Sequence, residues 1–277
     1  MPIFITSKGV SMNWFRIRAV IRKDLKEVAG MKMVVLPMVV VPLLLCIIMP
    51  AAISITVFTY GIKFISNVEM MEQIIPLYDI PEVFSTIPLQ IQYIFLNYTF
   101  LPLFMVIPVM ISSIVTANSI VGEKERHTLE TLLYTPITHK EFITSKLLGA
   151  FLPGFVLTVT GFLFYFVVVN GISYYYINDL MVRSPMWLVG IFVAAPALSL
   201  LGLTITLLVS LRAKTYLEAQ QMSAMVVVPL VLLIVLQISG VITFHTGYAL
   251  LFSLAVLLID WCAMSRLLPR FKRENIL

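Results

Sequence analysis

Charge is what this sequence has least of. Only 12% of its 277 residues are Asp, Glu, Lys or Arg, against 60% hydrophobic, and the mean hydropathy is +1.00. A soluble domain carries about 25% charged and about 45–50% apolar residues, so a soluble globular fold is excluded. Cysteine is nearly absent as well. Cys46 and Cys262 lie in apolar stretches at opposite ends of the chain, which excludes a disulfide framework or a cysteine zinc site. Both read as small buried hydrophobes. No G-x-x-x-x-G-K-[ST] phosphate loop occurs, so the chain cannot itself hold ATP in that way. A cleavable signal peptide is not evident either: the first apolar block starts only near Val34, behind a long basic segment, and is too long for a signal core.

What is there is arranged in blocks. Six apolar stretches, roughly 34–60, 94–117, 147–169, 186–210, 223–243 and 247–266, each reach the ~20 residues needed to cross ~30 Å of hydrocarbon. The expected fold is therefore all-α and integral to the membrane, with residues 1–33 as a cytoplasmic N-terminus and 34–277 as a six-span domain. Pro37, Pro42 and Pro50 in the first block, and Pro102 and Pro108 in the second, predict kinks. An even span number puts both termini on one side. Of the 19 Lys and Arg residues, all but Lys63 and Arg183 fall on that side, which the positive-inside rule makes cytoplasmic. The expected location is the plasma membrane, with both termini inside. The basic residues flank membrane segments, so anionic lipid headgroups rather than nucleic acid are the partner they imply. The first outer loop carries Glu69, Glu72, Asp79 and Glu82 and reads as a solvated acidic loop, with a cation-attracting vestibule as the alternative.

Ahead of the first block, WFRIRAVIRKDLKEVA places Trp14, Ile17, Ile21, Leu25 and Val28 within one arc of about 80° at ~100° per residue. Arg16, Arg22, Lys23, Lys26 and Glu27 face away. That is the pattern of a helix lying in the headgroup plane.

The densest charge lies between the second and third blocks, where VGEKERHTLETLLYTPITHKEF runs from Val121 to Phe142. Asn118 or Ser119 can cap a helix start, and Pro136 stops helix propagation. Thr138 with Glu141 forms a T-x-x-E capping box for the helix that enters the third block. The segment 119–135 is expected to be one short helix, with Glu123–His127 and Arg126–Glu130 paired at i,i+4. Solvated local pairs of this kind contribute at most a few tenths of a kcal/mol. Its unequal faces, with Ile120, Val121, Leu129, Leu132 and Leu133 on the apolar side, also suit an element that docks a soluble partner against the membrane.

GEKERHTLETLLYTPIT followed by SKLLGAFLPG resembles the loop between the second and third spans in membrane subunits of ATP-binding-cassette exporters, in the type-two permease class with sodium- and drug-export-like members. The matching positions are Gly122, Glu123, Lys124, Glu125, Arg126, Thr128, Leu129, Glu130, Leu132, Leu133 and Pro136. His127 stands where the pattern has glycine, a departure expected to stiffen the helix. YLEAQQMSAMVVVPLVLLIVLQISG is similar to the family's fourth loop and fifth span, with Glu218, Ala219, Gln220 and Gln221 as the core of the match. The resemblance implies a coupling helix seated in a groove of a separate ATPase subunit, two ATPase copies holding ATP and magnesium, and two permease copies with the substrate path between them. It implies no cofactor, metal or catalytic residue on this chain.

Two other classes compete. Intramembrane enzymes need acid–base pairs or histidine clusters inside spans, and His127, His139 and His245 fall on opposite sides of the membrane. An ion-coupled secondary transporter needs midplane ionisable groups and usually internal repeats. No convincing repeat is found, and Asp260, the one acid within an apolar block, reads as an interfacial group near Arg266. A scaffold of the same fold without transport remains the third alternative. Few charges line the spans, which suits an amphipathic, lipid-like, peptide or drug cargo, while the resemblance keeps Na⁺ open.

Overall fold

The computed structural model of the chain describes residues 13–61, 74–128, 137–210, 212–239, 241–242 and 246–267. Among these there is no strand. A first helix, α1 (Trp14–Gly30), lies ahead of α2 (Lys32–Tyr60), α3 (Ile87–Glu125), α4 (His139–Ile177), α5 (Met186–Ser210), α6 (Tyr216–Ile238) and α7 (Thr246–Arg266). The last six are each long and apolar enough to cross a membrane. The protein is a multi-pass membrane protein with six such helices, as its composition requires.

Two helices outrun their apolar blocks. At ~1.5 Å per residue, the 39 residues of α3 span far more than ~30 Å of hydrocarbon. Part of the excess lies at one charged end of each helix, where hydropathy falls but the backbone ladder continues. The start of α4 is set by the expected capping box: the Thr138 side chain accepts from the Glu141 N–H at 3.3 Å, and Glu141 Oε2 accepts from the Thr138 N–H at 2.9 Å.

Three of the proline-bearing spans carry a local change of helical pitch. Wide π turns occur at Leu44–Ile48, Phe95–Thr99 and Gly190–Ala194, each just ahead of a proline: Pro50, Pro102 and Pro196. Proline has no N–H for the carbonyl four residues back and its ring crowds that carbonyl, so the preceding turn opens to re-pair it. A fourth π turn, Asn118–Gly122, has no such proline and marks the charged end of α3.

Helix α3 is the centre: 83% of its apolar window is buried within the chain, against 22% for α6 and for α7. It crosses α5 closely at Gly202, where an added Cβ would stand 2.9 Å from the Val109 carbonyl oxygen and 3.0 Å from the Ser112 and Ser113 hydroxyls. Small residues at a crossing let membrane helices approach and gain van der Waals contact. On the far side of α5, the stripe Ala249, Ser253, Val256 and Asp260 of α7 is buried. The bundle end opposite the charged cluster is stitched by two asparagines. Asn170 accepts from the Val182 N–H and donates to the Val182 carbonyl, while Asn97 donates to the Met181 carbonyl. Asp79 and Glu82 are exposed; Glu69 and Glu72 lie outside the described residues.

Candidate functional site

The expected helix over 119–135 is corrected by the structure. Asn118 is helical (φ −65, ψ −43), so no cap interrupts the chain there, and α3 continues without a break to Glu125. The break comes at His127, whose φ of 57 is left-handed. A residue with a Cβ takes that conformation reluctantly, which gives a physical reason for the glycine in the family pattern. His127 therefore does not stiffen a helix; it sits where one ends. Leu129, Glu130 and the rest through Pro136 lie outside the described residues.

The local ion pair also differs from expectation. Glu123 is fully buried and pairs not with His127 but with two lysines: Lys23 from α1 and, at 2.9 Å, Lys146 from α4. The Lys146 ammonium reaches Asp24 as well, at 3.0 and 3.2 Å, and the Ser119 hydroxyl donates to Asp24 at 2.8 Å. Arg126 pairs with Glu27 of α1. Gly122 permits this fold-back, because a Cβ there would stand 2.9 Å from Asn118 Oδ1 and 3.2 Å from the Arg126 guanidinium. Six charges from three helices thus form one balanced cluster, half of it out of solvent. Oxygens of Asp24, Glu27 and Glu123 lie within 4.8 Å of one another, as a cation site would need. Lys146 already places its ammonium against two of these carboxylates and serves as their counter-ion.

The electrostatics follow from burial against attraction. Burial pushes the Asp24 carboxyl above its usual range, Lys146 opposes that shift, and the Glu123 charge adds to it. Burial works against the Lys23 ammonium, but its hydrogen bond and attraction to Glu123, with Asp24 and Glu27, outweigh it and raise its pKa. Removing one partner of a buried pair costs about 3–5 kcal/mol, since the other charge is left uncompensated.

Asp24 and Lys146 did not stand out in the sequence. Asp24 looked like one more charge on an amphipathic helix, and Lys146 like a flanking base. The usable signal was their place on faces that are otherwise apolar: Asp24 falls with Ile17, Val20 and Val28, the buried residues of α1. That buried face is rotated by about 60° from the predicted apolar stripe. Ile17 and Val28 turn into the protein, Ile21 and Leu25 are half-buried, and Trp14 is 62% exposed.

The two connections at this end of the bundle meet. Glu125 accepts from the Tyr216 N–H at 2.8 Å, placing a carboxylate at the start of α6, where the helix dipole favours negative charge. Glu218 accepts from the Lys214 N–H at 2.8 Å, and its own N–H is capped by Thr215. Beneath them Ala117 and Val121 pack with Ala213 and Ala219 in a small apolar core. Gly122 and Glu123 are thus buried, Lys124 and Gln220 half-buried, and Glu125, Arg126, Thr128, Glu218 and Gln221 exposed.

Asp260 is not the interfacial acid expected beside Arg266. It is buried, and neither carboxylate oxygen has a hydrogen-bond partner among the described residues.

No curated protein and no solved structure matches this chain. The family described as "ABC-2 family transporter protein" matches residues 18–265, which take in most of α1, nearly all of the six long apolar helices, and both connections that meet at Glu125, and the chain belongs to that family.

Proposed function

We propose that the protein is the permease subunit of an ATP-driven exporter, working as a pair of copies and driven by a separate ATPase subunit. The observation that carries this reading is the surface made where the α3–α4 and α5–α6 connections join through Glu125 and Tyr216, in a chain of this family. On that surface Lys124, Glu125, Arg126 and Thr128, with Glu218 and Gln221, are the residues offered to the ATPase; Leu129 and Glu130 continue the same connection. Glu123, turned inward, holds this surface to α1 and α4 rather than touching the partner. ATP and magnesium belong to the partner, in keeping with the missing phosphate loop.

The second copy and the lipids share the remaining apolar faces. Helix α6 exposes Val228, Val231, Leu232 and Val235, and α2 exposes Leu36, Val39, Leu43 and Leu44. A path between copies walled by such residues suits an amphiphilic cargo moved out of the cytoplasm. Trp14, Phe15 and the basic edge of α1 lie in the headgroup layer of the plasma membrane, with both termini cytoplasmic.

The test is purification of the tagged chain from its native host in mild detergent, with mass spectrometry of what accompanies it. A near-stoichiometric protein bearing a phosphate loop is expected, and Lys124→Glu should weaken its retention. Repeated purification with no ATPase, even after crosslinking, would remove the reading and bring forward a secondary transporter or scaffold.

A further inference from the structure

We propose that α1 and the facing ends of α3 and α4 form a single rigid lever, clasped by Asp24, Lys146 and Glu123, that swings against the first span, α2, at Met31. The direction of force, from the ATPase surface inward, rests on the exporter reading; the clasp itself does not.

The attachment runs the length of α1. At its start the Asn13 N–H donates to Glu141 Oε1 at 2.8 Å, and Arg16 lies 3.8 Å from the same carboxylate. The carboxylate that caps α4 therefore also holds the end of α1. In the middle, Lys146 bonds Asp24 and Glu123 together. Lys23 adds a second pair to Glu123 there, and nearer the C-terminal end Glu27 pairs with Arg126. Between these points the helices run close: an added Cβ on Gly149 of α4 would lie 3.8–3.9 Å from Ile21 of α1. Ion pairs with fixed partners, spread over three places, leave α1 no independent direction in which to slide.

The link to α2 is different in kind. Only Met31, extended at φ −99 and ψ 101, separates α1 from α2. A Cβ on Gly30 would meet nothing within 4 Å, so the joint has space around it. Arg126 reaches the joint itself, pairing with Glu27 on the α1 side and placing its guanidinium 3.8 Å from the Met31 sulfur. A displacement of the ATPase-facing connection would thus reach the first span through one non-helical residue. Hinges of this sort are short element-terminal stretches that absorb the backbone change.

Two arms test this on the full-length protein. In the first, without any partner, hydrogen exchange is followed over residues 17–28. Lys146→Met should speed it by roughly tenfold or more while α5 stays protected. Should Lys146→Met fail to reach the membrane, Asp24→Asn reads the same contact. Unchanged protection in these variants would overturn the clasp. The second arm closes a disulfide between Ile21→Cys and Gly149→Cys in protein reconstituted with its ATPase, with Cys262 replaced by Ser. A rigid lever predicts coupled ATP hydrolysis within about twofold of the reduced form, since nothing moves across that contact. Arrest on oxidation, reversed by reductant, would show that α1 slides on α4 and would overturn the lever. The exchange arm needs no ATPase, so failure of the exporter reading and failure of the clasp are separately visible.

Discussion

His127 holds a left-handed backbone that only glycine takes without strain, at a cost of roughly 1–2 kcal/mol for other residues. His127→Gly should leave thermal stability in detergent unchanged or higher, and His127→Val should lower it. Neighbouring Lys23 sets a pH dependence. Its folded pKa is raised, so the folded state holds that proton more tightly than the unfolded chain does. The contribution is fully present below the ordinary lysine value of 10.5 and is lost as pH rises through the raised folded value. Exchange of α1 amides should therefore accelerate in that alkaline window, and Lys23→Met should abolish the step. What the sequence hid at this scale was direction. The motif residues 122–126 were legible as a unit, yet nothing in their spacing says that Glu123 turns inward while Glu125 reaches the start of α6.

At the scale of elements, apolar length was sufficient to find all six long helices, because bilayer thickness sets their minimum length. It misplaced the ends of α3 and α4, since helices extend past the hydrocarbon wherever their polar side chains find partners, as Glu123 and Lys146 do. Prolines were read as kinks; that the preceding turn widens into a π turn follows from the lost N–H and was open to the same reasoning. The amphipathic pattern of α1 was visible, but its packing face was not, because Asp24 reads as polar until Lys146 is placed against it. Close crossing supplies a paired test. Gly202→Ala forces a Cβ against backbone oxygen and should cost about 1–3 kcal/mol, whereas Gly171→Ala in α4 meets nothing within 4 Å and should be neutral or stabilising. Thermal unfolding of the two variants side by side distinguishes them.

For the whole molecule, the alternation of helix ends puts the charged cluster, Glu125 and the start of α6 at one end, and Tyr175, Asn170 and the 178–185 turn at the other. With Cys262 replaced by Ser, Tyr175→Cys should react with an impermeant thiol reagent on intact cells. Gln221→Cys should react only after permeabilisation. The reverse pattern would invert the orientation read from Lys and Arg. Asp260, finally, bears on how the chain is made. Helix α7 has the lowest hydropathy of the six, 1.9, and an aspartate deep in a span opposes insertion by about 2.5–3.5 kcal/mol. Among the described residues this helix packs chiefly against α5, which leaves the ribosome earlier. Helix α7 is thus expected to enter the bilayer against a neighbour already there. A chain whose α5 surface is damaged should release α7 unintegrated to quality control, a defect of biogenesis that would be mistaken for one of transport.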